Sequence, residues 1–390
     1  MNKSFKQIIS SLDKPLLLIS IVGFVFGLLT IVTASSRAAV VNYDLSIYYY
    51  FYRQLVFIFI GVGVALVILF VDTKKYKKLL PFLFILMIIL NIIALRSDEL
   101  SGSKNWIDFG LFKLQPSELS KPVIIAFLAI LFEKYYRKLR TLNLKHYDMI
   151  LKMLAVAFII PFLVFLQKDF GTLFILAFII AMMFFASPIL KKEKIKYSFI
   201  IILSLLSILA IYTLMGGNIL NDARKSRFSS WADPCGSYET GGYQVCNSYI
   251  AINDGGLLGL GIGKSKQKYS YIPEPHTDSA FAIIAEEYGV YRTILIFIGY
   301  IILLWRILLI SSRANTLRGR YMCFGIASYI FAHIFINLGG LFGLIPLTGV
   351  PLPFFSYGGS FAFSLITALA IVQRVCIETK TSKIKIKTFK

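Results

Sequence analysis

Residues 15–34 read PLLLISIVGFVFGLLTIVTA, twenty positions in a row without an acidic or basic side chain. At about 1.5 Å of rise per residue, an α-helix of that length spans roughly 30 Å, the thickness of a bilayer's hydrocarbon core. Within that core every backbone N–H and C=O must find its partner inside the segment, which a helix achieves. The pattern recurs. Ten such runs can be marked, near 15–34, 53–71, 79–96, 117–132, 150–166, 170–187, 197–215, 288–309, 321–344 and 355–375. The 390 residues are 57% hydrophobic and 16% charged, more apolar surface than a water-soluble fold can hide. The chain therefore reads as an all-α polytopic membrane protein of about ten transmembrane helices, one domain over residues 1–390. The first run lacks a small-residue cleavage site before Arg37 and leads straight into further spans, so it is read as a span and not as a cleaved signal.

Lysine and arginine outnumber aspartate and glutamate by 41 to 20, a net charge of +21. With the N-terminus inside, ten spans put both termini and the loops near 72–78, 133–149, 188–196 and 310–320 in the cytoplasm. Those loops hold clusters such as Lys74, Lys75, Lys77 and Lys78, or Lys191, Lys192, Lys194 and Lys196. The tail from about 376 to 390 adds Lys380, Lys383, Lys385, Lys387 and Lys390. This is the positive-inside pattern, and it sets the orientation. The basic loops are expected to rest on anionic membrane lipids. No aromatic–basic module accompanies the charge, so nucleic acid is not expected as a partner.

The same orientation leaves one large extracellular loop, about 216–289, between the seventh and eighth spans. Its Arg224, Lys225, Arg227, Lys264, Lys266 and Lys268 read either as solvated loop charge or as contacts for a phosphorylated lipid at the outer leaflet. Inside it, residues 271–278, YIPEPHTD, bring Glu274, His276 and Asp278 together. Asp278 is the leading candidate for a catalytic carboxylate. Its structural alternative is the N-cap of a helix starting near Ser279.

Two shorter outer segments are also rich in polar residues. Residues 97–118, SDELSGSKNWIDFGLFKLQPSE, close with Pro116-Ser117-Glu118, and Pro116 suits the first turn of the fourth span. Glu118 and Lys121 then share one helical face within pairing distance. Ionisable residues inside a span mark function or its support; the alternative is a tie from the helix top to a neighbour. Asp169, at the turn joining the fifth and sixth spans, reads equally as a helix cap or a site residue. Arg53 opens the second span beside Gln54 and is expected in a structural ion pair. Residues 343–360, GLIPLTGVPLPFFSYGGS, carry three prolines and several glycines. They read as an irregular, re-entrant connection, which at membrane depth must lie in protein or line a polar cavity.

Taken together, Arg53-Gln54, Asn105-Trp106-Ile107-Asp108, Gln115-Pro116-Ser117-Glu118 with Lys121, Gln167 to Thr172, Gly242-Tyr243-Gln244, Pro273 to Asp278 and Pro346 to Ser360 resemble the SEDS family, whose members include FtsW, RodA and SpoVE. The resemblance runs from about the first span to the tenth. Within the family, Ser265-Lys266-Gln267-Lys268 looks like the division branch, FtsW, with SpoVE next; elongation-type RodA proteins usually show Gly-Thr-Gln there.

The resemblance implies a peptidoglycan glycosyltransferase that polymerises lipid II at the outer face of the bacterial cytoplasmic membrane, at the division septum. The acceptor 4-hydroxyl attacks the anomeric carbon of the growing strand, undecaprenyl pyrophosphate leaves, and the linkage inverts from α to β. One general base suffices, because a charge-neutralised pyrophosphate is a good leaving group. Asp278 matches the family's catalytic aspartate. Glu274, His276, Lys268, Gln267, Glu118, Lys121, Arg53, Trp106, Asp169, Gln244, Ser356, Gly358, Gly359 and Ser360 are implied to bind substrate or support the site. Lys and Arg of the same loop would balance the pyrophosphate. The implied partners are a class B penicillin-binding transpeptidase and the divisome proteins.

The chain departs from the family's pattern in three places. Ser279-Ala280-Phe281 replaces the usual Phe-Ile-Phe, Gln167-Lys168-Asp169 the usual Gln-Pro-Asp, and His333 stands where Gln is common. His333 falls one helical turn before Asn337 and reads as a polar core partner. The three histidines are far apart and no Cys-x-x-Cys occurs, so zinc is not expected; a magnesium or manganese ion held by carboxylates and pyrophosphate is compatible with the chemistry. Of the four cysteines, Cys235 and Cys246 fall in the outer loop and are expected to pair, closing a loop worth roughly 2–3 kcal/mol. The competing functions are a lipid II flippase, a scaffold with a vestigial motif, or a RodA- or SpoVE-type polymerase for elongation or spore cortex. Crowding of the polar motifs on one side favours an enzyme over a flippase.

Overall fold

The computed structural model describes residues 5–388 except 43, 101, 111, 141–146, 200–230, 241, 270, 271, 273 and 274. The first helices are α1 (Phe5–Ser11), α2 (Lys14–Arg37), α3 (Tyr49–Phe70), α4 (Tyr76–Ala94), α5 (Pro116–Lys134) and α6 (Tyr136–Arg140). There follow α7 (Tyr147–Leu166), α8 (Phe170–Ala186), α9 (Tyr243–Gly255), α10 (Ala280–Arg313), α11 (Leu317–Leu341) and α12 (Gly359–Thr388). Nine of the ten expected spans thus fall on helices, while the seventh, 197–215, lies beyond residue 199 outside the described residues. Seven helical stretches among the described residues are long and apolar enough to cross a bilayer. The shorter α8 has 17 residues, and α5 is diluted by Glu118, Lys121, Glu133 and Lys134. The departures from an all-α architecture among the described residues are small: a two-residue antiparallel ribbon, Ile107–Asp108 against Lys113–Leu114, and an isolated bridge between Leu100 and Ser103.

Helices α11 and α12 are mostly buried and form the centre; α2 and α3 turn most of their surface outward, where lipid tails replace water as solvent. Helix α12 packs along α3, and α11 lies between α5 and α10. Local chemistry sets the ends. Thr316 caps α11 by accepting from Gly319 N–H, Asp169 caps α8 by accepting from Thr172 N–H, and Pro116 opens α5. The eighth span was expected to start at 288, yet helical structure begins at Ala280 and breaks at Gly289 (φ 77°, ψ 163°). There a Cβ would sit 2.4 Å from the backbone nitrogen of Gly259, so only glycine fits. The break leaves the 280–288 segment docked on α9 and its following loop, with Leu260 and Gly261 N–H donating to the carbonyls of Glu286 and Glu287.

The two ends of the bundle differ in chemistry. At the end that the charge pattern assigns to the cytoplasm, Arg374 is fully buried and pairs with Asp72 and Glu378 while donating to Leu69 C=O. Arg318 pairs with Glu133 at 2.9 Å and donates to Thr73 Oγ1; Lys77 also reaches Glu133, at 3.2 Å. Arg306 pairs with Asp13. The polar motifs of the resemblance gather at the opposite end.

Candidate active site

The segment linking α11 to α12, residues 343–358, contains no helix or strand, and its Val350, Leu352, Phe354, Phe355 and Ser356 are buried. Buried irregular backbone needs partners, and the sequence supplies them. Asn337 donates to Val350 C=O at 2.8 Å, Tyr300 hydroxyl donates to Pro353 C=O, and Ser356 Oγ accepts from Leu352 N–H at 2.8 Å. Gln54 accepts from Gly358 N–H at 3.1 Å, tying α3 to the start of α12. Ser360 Oγ accepts from Gln115 N–H at 3.0 Å, tying in the 97–118 segment. At Gly359 a Cβ would fall 2.3 Å from the Phe57 ring, so the helix start can approach α3 only without a side chain. These contacts give Ser356, Gly358, Gly359 and Ser360 the work of shaping the loop.

Asp278 stands beside this loop. Its carboxylate Oδ1 accepts from Gln244 Nε2 at 3.0 Å and from Thr277 Oγ1 at 3.1 Å. Its main-chain carbonyl accepts from Asn337 Nδ2 at 2.8 Å, the same amide that holds Val350. Across the gap, Oδ2 lies 4.0 Å from where a Gly349 Cβ would be. Among the described residues no lysine or arginine pairs with Asp278. Burial pushes its pKa above the usual carboxylate range, partly offset by the hydrogen bonds from Thr277, the local backbone and Gln244. The helix that follows has Ser279 at its N-cap position and no side-chain cap, so Asp278 is not spent there as a capping group.

Ser279 is fully buried, and its Oγ accepts from Gln244 Nε2 at 3.1 Å. One amide therefore bridges Asp278 and Ser279. Where the family pattern leads one to expect a bulky apolar side chain, this chain places a second acceptor for Gln244.

His276 is fully buried between the Tyr50 and Tyr357 rings, at 4.2 and 5.5 Å between centroids, and its carbonyl accepts from Tyr357 N–H. Burial lowers its pKa to about 4, so the imidazole is neutral at physiological pH and braces the loop against α3. Gln267 and Lys268 belong to a second cluster. Glu286 accepts from Ser265 hydroxyl and from Lys266 N–H at 2.7 Å, with Gln267 N–H close behind at 3.3 Å. Lys268 Nζ is buried on Glu287, at 3.0 Å, and on Gly263 C=O. Its ammonium is satisfied there, so of the two roles expected for Lys268, substrate binding or support, these contacts give it the support of the loop. Lys264 and Lys266 remain exposed on the same loop. Arg224, Lys225, Arg227 and Glu274 lie outside the described residues.

Lys121 Nζ sits 2.6 Å from Glu118 and 3.0 Å from His333 Nε2, over the Tyr329 ring, with all three polar groups buried. His333 Nδ1 lies 3.0 Å from Pro351 C=O, which can only accept, so Nδ1 carries the proton and Nε2 receives Lys121. His333 is thus the polar core partner it was read to be, and it reaches the same loop that faces Asp278. Asp169 caps α8 and also accepts from Asn105 Nδ2 at 2.7 Å and Gln115 Nε2 at 3.0 Å. It is a cap and a tie at once. Arg53 donates to Tyr49 hydroxyl at 2.7 Å, and Trp106 is half-buried in the 97–118 segment. The described residues contain no group of three or more His, Cys, Asp or Glu that could hold a metal ion. Sequence reasoning passed over Thr277, Tyr50, Tyr357 and the role of Asn337; only the i, i+4 spacing of His333 and Asn337 hinted at the last.

The model of the family described as cell cycle protein, covering FtsW, RodA and SpoVE, matches residues 14–381. A probable peptidoglycan glycosyltransferase FtsW of Bacillus subtilis (strain 168) is 31% identical over 391 residues, 97% of this chain and 94% of that protein. Stage V sporulation protein E of the same organism is 32% identical over 369 residues, 94% of this chain and 97% of that protein. A solved chain from a peptidoglycan synthase complex superposes with a TM-score of 0.73 at 23% identity, covering 94% of this chain and 98% of that one; the fold is shared.

Proposed function

The chain belongs to the cell cycle protein family of FtsW, RodA and SpoVE, and from that premise we propose that it is a peptidoglycan glycosyltransferase polymerising lipid II outside the cytoplasmic membrane. The observation that carries the reading is Asp278: half-buried, held by neutral donors, facing an irregular loop. In the proposed step Asp278 takes the proton of the acceptor 4-hydroxyl as its oxygen bonds to the anomeric carbon. The C–O bond to undecaprenyl pyrophosphate breaks with inversion, and the pyrophosphate leaves with the bonding pair. A raised pKa suits this role, since the carboxylate is a better base when its charge is less well solvated. Gln244 and Thr277 orient it, and Asn337 fixes its backbone. Exposed Lys264 and Lys266, with cations of the 216–230 stretch, are the groups proposed to meet the pyrophosphate.

A magnesium or manganese ion would be held by carboxylates and the pyrophosphate; the described residues gather no group of three or more such side chains for it, and no step above is routed through one. A class B transpeptidase is the proposed partner, and the septum within the bacterial cytoplasmic membrane the proposed place, with divisome proteins around it. Relatives named FtsW and stage V sporulation protein E stand at 31% and 32% identity, so the phenotype on depletion, division against sporulation, is the test of the branch. The test is glycan polymerisation from fluorescent lipid II by purified protein with its cognate transpeptidase, wild type against Asp278→Asn, with and without chelator. Polymer from wild type alone supports enzyme and base together. Polymer from both moves the base elsewhere, Glu274 next. Polymer from neither, with lipid II crossing liposome bilayers, puts the flippase reading ahead.

A further inference from the structure

We propose that the Cys235–Cys246 disulfide is a positioning element of the active site, holding the first turn of α9 so that Gln244 stays on Asp278. The inference rests on the polymerase reading for its kinetic arm. The bond joins residues eleven apart, Cys235 on an exposed turn and Cys246 buried in α9. Gln244 lies two residues before Cys246, and its Nε2 reaches both Asp278 Oδ1 and Ser279 Oγ.

The two ends of α9 are anchored differently. At its C-terminal end, backbone meets backbone: a Cβ on Gly255 would fall 2.2 Å from Ala285 C=O, and Gly259 N–H donates to Gly255 C=O. That end is fixed by close packing on α10. At the N-terminal end, residues 231–240 fold over the helix start. Gly242 N–H donates to Ser237 C=O at 2.9 Å, the Tyr238 and Tyr243 rings meet edge to face at 4.8 Å, and Gly236 N–H donates to Asp233 Oδ1. Most of this cap is exposed, where individual hydrogen bonds compete with water. The disulfide is the covalent link between the cap and the turn that carries Gln244. Trp231 Nε1 donates to Gly343 C=O at 2.8 Å, so the cap also touches the start of the loop that faces Asp278.

Dithiothreitol tests the tether. It delivers two electrons and two protons, becomes a cyclic disulfide, and leaves two thiols on the protein. The experiment follows lipid II polymerisation by the full chain with its transpeptidase, oxidised and reduced, beside a Cys235→Ser/Cys246→Ser variant. Reduction is expected to lower kcat by about tenfold, in keeping with the cost of displacing one positioned group. The acid limb of kcat/KM should move to higher pH, because a lost donation from Gln244 removes stabilisation of the carboxylate. The Ser/Ser variant should match the reduced wild type, and in a Gln244→Ala background reduction should change neither value. Hydrogen exchange, read without substrate, should rise on reduction in residues 243–248 and 275–280 together. An unchanged rate and pH profile, an equal loss in the Gln244→Ala background, or exchange confined to residues 231–240 would each overturn the tether. If oxidised wild type makes no polymer, the polymerase reading has failed, and the exchange pattern alone decides this one.

Discussion

At one end of the helix bundle carboxylates are held by cations; at the other the central carboxylate is held by amides and a hydroxyl. Asp72, Glu378, Glu133 and Asp13 meet Arg374, Arg318, Lys77 and Arg306, and all but the Arg374–Glu378 pair, which lies within α12, tie one element to another. Asp278 has Gln244, Thr277 and, through its backbone, Asn337. A cation beside a carboxylate lowers its free energy and its basicity together, which makes a good strut and a poor base. Neutral donors orient a carboxylate and leave it basic. The difference teaches that net charge and polar residue count say little about where chemistry occurs; what matters is which groups are left unneutralised. Glu286, eight residues after Asp278, makes the point at short range, being surrounded by a hydroxyl and backbone N–H groups with its neighbour Glu287 on Lys268.

Four substitutions or titrations would break or sharpen that contrast. The largest effect is expected from Asp278→Asn: a loss of about thousandfold in polymer formation with the melting midpoint unchanged or higher, because a carboxylate carrying a burial cost becomes neutral. A variant that loses stability and activity in step would make Asp278 a strut like the others. Arg374→Met should do the opposite, destabilising by roughly 2–3 kcal/mol as Glu378 and Asp72 lose their buried partner, with the specific activity of folded protein retained. Thermal unfolding in detergent, followed by assay of the surviving fraction, separates the two results.

The third is pH. Asp278 has its folded pKa raised, so the carboxylate costs stability above its unfolded value, and that cost is relieved as pH falls through the folded value. Activity should run the other way, declining as pH falls through that same raised value, so its acid limb should lie above the ordinary carboxylate value of about 4. An acid limb at or below that value would remove the case for a desolvated base. The smallest effect is expected from Lys77→Ala: its half-exposed pair with Glu133 should contribute less than about 1 kcal/mol, and high salt should erase the difference.

Much of this was legible in advance. Apolar runs located nine helices where they are found, because hydrocarbon thickness and backbone saturation leave a segment of that length no other conformation. The Glu118–Lys121 pair followed from helical periodicity alone, and the cap at Asp169 from its place before α8. The 343–358 loop was legible as irregular from its prolines and glycines, but its attachments to Gln54, Gln115, Tyr300 and Asn337 were not. Those partners sit up to 304 positions away along the chain, and pairing at that separation leaves no local pattern.

Lys268 shows the limit most plainly. As sequence it is one more cation on a basic loop; only packing reveals that Glu287, in the short helical segment before the break at Gly289, faces it and neutralises it. The sequence by itself determined what the membrane demands: spans, their polarity, and the polar motifs from which a family could be read. The tertiary structure decided which charges are spent and which remain available. The reason is physical: transfer into hydrocarbon acts on each segment through its own composition, whereas neutralising a charge depends on a partner brought within about 4 Å by the fold.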